Sequence, residues 1–558
     1  MRSASDEEGN CDLKRGLRRK VEALVQGIEH HKRGHTVRID VINTLPDFTR
    51  LEENWNAVYD ADPDAQLFMS WKWLSAWLGQ ISSPWFVLGA KASEKADAPY
   101  VAFLPLRIQT KLENARFHNE LNMAGNFSAD YTGILCAPGL EHQAIPAFAR
   151  HLKRMNWARL NLENIRMSEP RIRLLLAHFP KASFQTSEIN RIGKVDNIDN
   201  NLCPFAALPP DWNAYLDMLS ANTRQKIRRL LRLVDETGEY RITVATSETI
   251  ERDLNTLLRF WEVKWTPRKG DLVHTLIRSN RAMLTRSFRA DLLFLPTLWK
   301  EDRPLAALAT LIDKRKRSFL FYMTGRDETF DGPPPGVILH AHSIRHAIAN
   351  GFTEYDFLRG NETYKYSFGV KERRIRFVMI GTKNGLNLGG RLDQRTIPDV
   401  LQEATELHQK GKLVEAEHGY RQIMEIQPKN ADAIHRLGQL LVSKGDHAGA
   451  KRLFKTLTGI RPEIYKPWLC LAQSCDALGH HLEAVSAYRE VIRLKPDLPE
   501  AFSSLAATLV KLGRIEDVNM ALVAAIGRVE SVPQMNGREP KTRRVINGSI
   551  AQGEAAAV

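Results

Sequence analysis

The sequence predicts an α/β region of two similar subdomains, with mixed sheets and flanking helices, followed by an all-α solenoid of helical repeats. Two observations lead to this prediction. Between residues 37 and 376, short apolar runs bounded by turn residues alternate with longer amphipathic stretches, which is typical of α/β architecture. Towards the C-terminus, glycines and prolines recur at a fixed step of 34 residues, which is typical of a repeat array.

Composition indicates an ordinary globular protein. The chain has 558 residues, which is enough for two to four compact units, and 43% of them are hydrophobic. The sequence contains no run of about 18 uncharged apolar residues that could span a bilayer. Acidic residues occupy positions 6 to 8, where a secretory signal is positively charged, and the five cysteines are scattered without a CxxC pair. We therefore expect a cytoplasmic protein with reduced thiols, no transmembrane segment and no metal.

The net charge of +14 calls for an anionic partner. Nucleic acid, a membrane surface and a phosphate-bearing small molecule all satisfy this requirement, and charge alone does not choose among them. The densest cationic run extends from Arg224 to Arg232 and contains no acidic residue. A solvated helix face is the alternative interpretation of that run.

The repeat unit is identified by four residue series. Each glycine is followed five residues later by alanine in three units and nine residues later by an aromatic residue, and a proline closes the unit. Glycine ends the first helix, alanine allows close helix packing, the aromatic ring fills the gap, and proline stops the second helix. This is the tetratricopeptide pattern, and it predicts a protein or peptide partner for the array. The series are Gly411, Gly445, Gly479 and Gly513; Ala416, Ala450 and Ala484; Tyr420, Phe454 and Tyr488; and Pro428, Pro462 and Pro496.

These patterns divide the chain into five predicted parts. A proline-rich passage from Cys203 to Asp211 is the natural seam of the α/β region. The predicted parts are a flexible basic segment (1–35), a first subdomain (36–205), a second subdomain (206–385), the repeat array (396–529) and a disordered tail (530–558).

The second subdomain carries a candidate phosphate site. A predicted strand, Ser318 to Tyr322, is followed by the passage Gly332-Pro-Pro-Pro-Gly336 and then by a predicted helix from Val337 to Asn350. A helix that begins with proline and glycine presents free backbone N–H groups and the positive end of its dipole. This is one physical requirement for binding coenzyme A, although many such connections bind nothing.

The next passage carries a family resemblance. Gly351-Phe-Thr-Glu-Tyr-Asp-Phe-Leu-Arg-Gly-Asn-Glu-Thr-Tyr-Lys365 resembles the terminal signature of the GNAT-fold acetyltransferases associated with cellulose and exopolysaccharide synthesis, the BcsL-like group, which are distant relatives of Fem-type peptidyltransferases. The aromatic stretch from Phe68 to Trp77 and the passage Asp130-Tyr-Thr-Gly133 extend the resemblance across Val37 to Lys371. Asn361 departs from the family pattern, which has aspartate there, and Tyr366-Ser-Phe368 stands where the family often has tryptophan.

The resemblance implies two GNAT-like subdomains and an N- or O-acyltransferase that uses acetyl-CoA or another acyl-CoA, with a sugar or amine acceptor in surface polysaccharide synthesis. Such transfer needs a base, oxyanion donors and a pyrophosphate clamp. Candidate residues fall into three groups. They are Asp356, Glu362 and Lys365 for catalysis; Tyr322, Pro335, Gly336, Val337 and Arg359 for the cofactor; and Arg224, Arg228 and Trp265 for the substrate. Alternatively, these charged residues pair on the surface without a catalytic role.

Other interpretations stay open. His342 and His346 could share a metal, but we expect exposed helical histidines, because no third ligand has useful spacing. We expect Trp261 and Trp265 to lie in a core rather than to form a surface on which a ligand stacks. Two other functions compete with acyl-CoA transfer: an aminoacyl transferase that uses charged tRNA, for which Arg224 to Arg232 would grip phosphates, and an inactive assembly factor that acts through its repeats. Nucleic acid is the less expected partner.

Overall fold

The computed structural model describes residues 37–126, 128–193, 196–520 and 523. The predicted basic segment 1–35 and the predicted tail 530–558 lie outside these residues. Two sheets with flanking helices are followed by an array of helices, which confirms the predicted fold class. Within the described ranges, no helix combines the length and the apolar character needed to cross a membrane.

The first sheet contains the predicted hairpin at residues 85–108. Its strands are β1 (Arg38–Ile42), β2 (Trp85–Lys91), β3 (Tyr100–Glu113), β4 (Arg116–Met123), β5 (Leu135–Cys136), β6 (Arg159–Ile165), β7 (Phe184–Glu188) and β16 (Arg376–Thr382). They are ordered β1-β2-β3-β4-β6-β16-β7, and β5 pairs with β3. The accompanying helices are α1 (Leu45–Thr49), α2 (Glu52–Ala61), α3 (Trp71–Leu78), α4 (Glu141–Leu152) and α5 (Glu169–Leu176).

The second sheet has the order β15-β8-β14-β13-β12-β11-β9, and β10 pairs with β12. These strands are β8 (Leu202–Ala207), β9 (Tyr240–Val244), β10 (Leu293–Phe294), β11 (Pro296–Lys300), β12 (Arg303–Asp313), β13 (Ser318–Arg326), β14 (Glu354–Asp356) and β15 (Lys371–Arg374). Its helices are α6 (Trp212–Asp217), α7 (Ala221–Glu236), α8 (Ile250–Lys269), α9 (Leu272–Arg289) and α10 (Pro335–Ala349).

The two sheets share one pattern of strand directions. Each begins with four antiparallel strands, continues with a parallel fifth strand that follows a helix, and ends with two antiparallel strands. The sixth strand of each sheet comes from outside the rest of that sheet's sequence. β16 returns from the second half to lie between β6 and β7, and β8 precedes the second half and pairs with β14 and β15. The predicted boundary at residue 205 therefore falls inside β8, and residues 376–382 belong to the first sheet.

One apolar core joins the two halves. Ser70 is the N-cap of the helix α3, and its side chain accepts a hydrogen bond from the backbone N–H of Trp73 at 3.3 Å. The buried face of α3 packs in a cluster that also contains Leu257 of α8 and Leu320 of β13. The aromatic residues near the N-terminus therefore bury surface from both halves, and the hydrophobic effect holds the halves together.

The repeat array follows the predicted pattern. Its turns place the repeat glycines in the left-handed region, with φ between 72° and 79°, which glycine adopts without a steric penalty. Tyr420 and Phe454 are fully buried between the helices. The helices are α11 (Ile397–Gln409), α12 (Leu413–Ile426), α13 (Ala431–Ser443), α14 (His447–Ile460), α15 (Tyr465–Ala477), α16 (His481–Leu494) and α17 (Pro499–Lys511).

The array docks on the tip of the β3–β4 hairpin. Phe117 of β4 belongs to the core of the array rather than to that of the sheet. The side chain of Gln422 accepts a hydrogen bond from Phe117 N at 2.9 Å and donates one to Phe117 O at 2.8 Å. A Cβ atom on Gly419 would come within 2.8 Å of the Phe117 ring, so the helix approaches the hairpin closely. The array is thus anchored to the first sheet.

Replacement of Phe117 by alanine should weaken this anchor. The ring is 1% exposed, and removing a buried phenyl ring from a packed core costs about 3–5 kcal/mol. We expect the array to unfold before the α/β region in calorimetry, as a separate transition. Leu482→Ala is the matched control, because Leu482 is 67% exposed on the array and should change little. A single unshifted transition in Phe117→Ala would show that the hairpin does not hold the array.

Candidate functional site

The helix α10 begins in an open setting. It starts at Pro335, two residues before the predicted position, and Pro334 is its N-cap. The first backbone hydrogen bond at this end joins Ile338 N to Pro334 O at 3.3 Å. The amide groups of Gly336 and Val337 precede that bond and lie at the positive end of the helix dipole. A Cβ atom on Gly336 would meet no described atom within 4 Å, so the surface here is accessible.

A gap opens between β13 and β14 beside this helix. The two strands pair in parallel only from Ser318–Glu354 to Leu320–Asp356. Beyond that point β13 stays with β12 as far as Arg326, whereas residues 357–360 stay with β8. Phe357 N donates to Pro204 O and Gly360 N donates to Leu202 O, both at 2.9 Å. Among the described strands, none pairs with β13 beyond Leu320 on the side that faces this gap.

In the first sheet, the corresponding position lies between β4 and β6, and the segment around Thr132 fills it. β4 and β6 pair in parallel from Glu120–Arg159 to Asn122–Asn161. Thr132 then forms a parallel bridge with Ile165: its N–H donates to Asn164 O at 2.8 Å, and its carbonyl accepts from Arg166 N at 2.9 Å. Of the two equivalent positions, only that in the second sheet leaves a strand edge open.

Buried aromatic side chains pack next to the gap on both faces of the sheet. Phe321 and Phe357 lie on the α10 side, with ring centroids 6.2 Å apart, and His340 packs 4.6 Å from Phe321. His340 Nδ1 lies 3.0 Å from Tyr355 Oη. Burial lowers the pKa of His340 to about 3, so this imidazole is neutral. On the other side, Tyr322 packs against the shared core and donates its hydroxyl hydrogen to Ser128 O at 3.3 Å.

Asp356 is a buried connection between the two halves. Tyr131 of the first half donates its hydroxyl hydrogen to this carboxylate at 2.8 Å, and Arg373 of β15 donates to it at 2.9 Å. The N–H of Leu358 donates to it at 2.8 Å and fixes a turn in which Leu358 has a φ of 55°. Burial raises the pKa of the Asp356 carboxyl, and the Arg373 guanidinium opposes that rise. With no solvent exposure, Asp356 has the contacts of a positioning residue.

Lys365 and Glu362 form a second connection inside the loop. The Lys365 ammonium is 2% exposed and donates to the carbonyl oxygens of Phe357, Arg359 and Gly360 at 2.8–3.1 Å. It also pairs with Glu362 at 2.8 Å. The Glu362 side chain is 34% exposed, so it is the accessible carboxylate of this loop.

Arg359 is held by the first half of the chain. Its guanidinium donates to Asp130 at 2.7 Å and to Asn164 at 3.2 Å. The Asp130 carboxylate raises the pKa of Arg359 above its usual value, and burial acts in the opposite direction. The Asp130-Tyr131 passage thus contacts both Arg359 and Asp356, which couples the first half to the loop.

The predicted substrate residues divide between two helices. Arg224 pairs with Asp217 at 2.5 Å, and Arg228 is exposed on the same face of α7. The start of α7 lies near the start of α10: a Cβ atom on Gly369 would lie 3.0 Å from Leu219, and the Phe368 ring is 5.3 Å from His340. Trp265 lies at the far end of α8 and outside the 356–365 loop.

The expectation of exposed histidines on α10 is wrong. His342 and His346 are half-buried, and both rings stack on Phe294, with centroid distances of 6.4 and 4.4 Å. Burial lowers the pKa of each of them, that of His342 to about 4.

A group of three candidate metal ligands lies elsewhere. Among the described residues, Glu113, His118 and Glu120 approach one another within 4.8 Å. Arg159 donates to Glu113 at 2.6 Å and to Glu120 at 3.0 Å, so one guanidinium already pairs with both carboxylates.

Sequence reasoning missed Tyr131, His340 and Arg373 as members of the site. Tyr131 stands in the Asp-Tyr passage and could have been found from it. His340 follows the Pro335-Gly336 start by one helical turn. Arg373 carries no sequence signal, because it lies among four consecutive charged residues from Lys371 to Arg374.

Comparison with known proteins agrees with this geometry. Residues 221–366 match the family model of an acetyltransferase (GNAT) domain. Residues 407–465 and 465–498 match tetratricopeptide repeat models. No curated protein matches the chain.

Solved structures with a similar portion include two forms of MamA. MamA AMB-1 is 18% identical, with 24% of this chain and 74% of that chain covered and a TM-score of 0.24. MamA from Desulfovibrio magneticus RS-1 is 14% identical, with 24% and 76% covered and a TM-score of 0.23. From the family models, the chain contains a GNAT-type acetyltransferase domain and C-terminal tetratricopeptide repeats.

Proposed function

We propose that this protein is an acyl-CoA-dependent N- or O-acyltransferase whose donor binds in the gap between β13 and β14. One observation carries the proposal. The unpaired edge of β13 opens beside the accessible Gly336 and Val337 amides, inside the segment that matches the GNAT model. An extended pantetheine arm requires a free strand edge for its amides, and a pyrophosphate requires free N–H groups.

The residues around the gap suit the donor, acetyl-CoA or another acyl-CoA. The Gly336 and Val337 amides hold the pyrophosphate, and the prolines at 334 and 335 fix the start of the helix. Arg224 and Arg228, at the neighbouring start of α7, add positive charge. Tyr322 and the rings of Phe321 and Phe357 pack next to the gap and make its surroundings apolar.

The reaction needs a base for the acceptor. Glu362 takes the proton from the acceptor hydroxyl or amine, whose oxygen or nitrogen attacks the thioester carbonyl. The carbon–sulfur bond then breaks, and the coenzyme A thiolate leaves and takes up a proton. Lys365 orients Glu362 through their ion pair, and Asp356 and Arg359 position the loop. Unpaired backbone amides on the β13 edge supply the hydrogen-bond donors for the oxyanion.

The acceptor and the partners follow from the family resemblance. A sugar or amine precursor of a surface polysaccharide is the proposed acceptor, and the repeat array at 396–529 holds a protein or peptide partner. The reaction takes place in the cytoplasm. The finer assignment to the BcsL-like, Fem-related group belongs to this proposal as well.

A second candidate function is an assembly factor without catalysis. Asp356 and Lys365 are fully engaged in hydrogen bonds, which is also the pattern of a purely structural loop. Transfer from charged tRNA is a third candidate, supported by the exposed cations of α7, and it requires binding that falls steeply with salt.

Replacement of Gly336 by aspartate should abolish donor binding while it preserves the fold. A carboxylate at a helix start is favourable for the helix but repels phosphate. We expect the rise in melting temperature with millimolar acetyl-CoA, which reflects mass action, to disappear in Gly336→Asp. Gly336→Ala is the control and should keep that rise, because its Cβ meets open space. An equal thermal response of both variants would place the donor elsewhere.

Glu362→Gln should separate catalysis from stability. Loss of a general base costs about 10²–10⁴-fold in transfer rate, and melting should hardly change because the side chain is partly exposed. Lys365→Met should instead unfold the loop, because three buried carbonyl groups lose their donor, at a cost of about 3–5 kcal/mol. Acetyl transfer and thermal unfolding are measured on both variants.

Two outcomes would contradict this assignment. Undiminished transfer by Glu362→Gln would remove Glu362 as the base. A wild-type chain that neither binds nor uses any acyl-CoA would favour the assembly factor.

A further inference from the structure

The junction of α8 and α9 projects beyond the core. All buried residues of α8 lie between Ile250 and Phe260, and the half-buried Trp261 still packs against the shared core, so the last eight residues of the helix lie beyond that contact. We call residues 261–272 the α8–α9 tip. Val263 is 62% exposed and Leu272 is 37% exposed on this tip. Exposed aliphatic residues also occur elsewhere on this chain, Leu482 and Val414 among them, so the tip is distinguished by the groups that accompany Val263 and Leu272.

Basic side chains surround an aromatic ring on the same tip. Trp265 is half-buried and lies 5.9 Å from Trp261. Lys264, Arg268 and Lys269 place their charges 5.7, 5.5 and 5.3 Å from the centre of the Trp265 ring. Cations over an indole ring form cation–π contacts and remain free to meet anions in solvent.

The acids on the tip do not cancel this charge. Glu262 and Asp271 are the acidic residues of the tip, and Glu262 lies 3.4 Å from His274. The three cations therefore exceed the acids, and they sit on the side of Trp265. Positive charge and an indole ring thus lie together on the tip, and two exposed aliphatic residues belong to the same segment of twelve residues.

We propose that the α8–α9 tip docks on the surface of an anionic lipid bilayer. Trp265 lies at the headgroup level, where indole rings partition well, and Val263 and Leu272 enter the acyl boundary. Lys264, Arg268 and Lys269 bind the lipid phosphates. RNA would use the cations and the ring but gives the exposed valine and leucine no apolar contact, so the lipid surface fits better.

The tip lies close to the gap of the candidate site. The backbone N of Trp261 lies 3.1 Å from the Cβ position of Gly325 on β13. The hydrogen bond from Arg326 lowers the pKa of the Glu328 carboxyl, in the segment that leads to α10, and the charge of Lys264 contributes to that lowering. A docked tip therefore holds the mouth of the gap near the bilayer. If the proposed function is correct, the acceptor is then lipid-linked; the docking itself does not rest on that function.

The test is sedimentation of the full chain with vesicles. Vesicles of phosphatidylcholine with about 30% phosphatidylglycerol are compared with pure phosphatidylcholine at low salt. We expect binding to the anionic vesicles alone. Lys264→Gln/Arg268→Gln/Lys269→Gln should weaken it about tenfold to a hundredfold, since each cation near the surface contributes about fivefold. Val263→Asp should weaken it at least about fivefold by placing a carboxylate at the acyl boundary.

Matched controls remove general charge as an explanation. Lys226→Gln/Arg229→Gln/Arg232→Gln removes three exposed cations from α7, where no tryptophan accompanies them. Val414→Asp changes a valine that is 55% exposed on the array. Both controls should bind the vesicles within about twofold of the wild type, and circular dichroism should be unchanged in all four variants.

The proposal is overturned if the tip variants bind vesicles like the wild type, or if the α7 control loses as much binding as the tip triple variant. It is also overturned if the tip variants lose binding to a single-stranded RNA oligonucleotide but keep binding to vesicles. Acetyl transfer to a soluble acceptor is measured in parallel. A wild-type chain that binds the vesicles but transfers no acetyl group contradicts the enzyme proposal and leaves the docking proposal intact.

Discussion

The fold depends on one buried contact, in which Asp356 joins Tyr131 of the first half to Arg373 of β15. A buried ion pair gains little net stability, because removing both charges from water offsets their attraction. Its effect is to favour one arrangement of the chain. A buried Asp356 carboxylate is stable only with all of its hydrogen-bond donors, and removing one donor leaves a charge without a partner. These donors come from different parts of the chain, so the 357–360 turn forms only when both sheets are in place. The Asp356 contact fixes the start of the candidate loop, and the contacts of Lys365 and Arg359 fix its remainder.

Strand exchange acts in the same direction. β16 belongs by sequence to the second half but lies between β6 and β7, and β8 serves the second sheet from a position before it. Neither sheet is complete without a strand from beyond its own segment. The chain therefore crosses between the sheets at β8 and β16. The shared core around Trp73 and Leu320 holds the halves together further by burying apolar surface from both. Hinge motion between the halves would have to break the Asp356 contact, strain the crossing strands and expose that core. A rigid gap, rather than a closing cleft, is the consequence.

The sequence patterns predicted those parts of the fold that depend on interactions between residues close together in the chain. Gly445 and Ala450 identify a repeat because each has a role within one helical pair, and the hairpin from Trp85 follows from alternation around a turn. The sequence placed Asp356 and Lys365 in one loop but did not reveal that they are buried, since an aspartate reads the same whether its donors are water or Tyr131. β16 could not be placed, because its partners are more than 180 residues away in sequence. His346 was expected to be exposed because helix periodicity does not reveal Phe294 on another strand.

The two sheets share a strand pattern but differ at the position of the gap between β13 and β14. In the first, Thr132 fills the place between β4 and β6, and the same passage continues from Tyr131 and Asp130, which hold Asp356 and Arg359. The segment from Asp130 to Thr132 therefore fills the position in the first sheet and also stabilises the loop beside the gap in the second sheet. The first sheet also carries the hairpin on which the array docks, so a partner held by the repeats is fixed relative to that gap. The first half thus holds the repeat array in a fixed position relative to the gap in the second sheet.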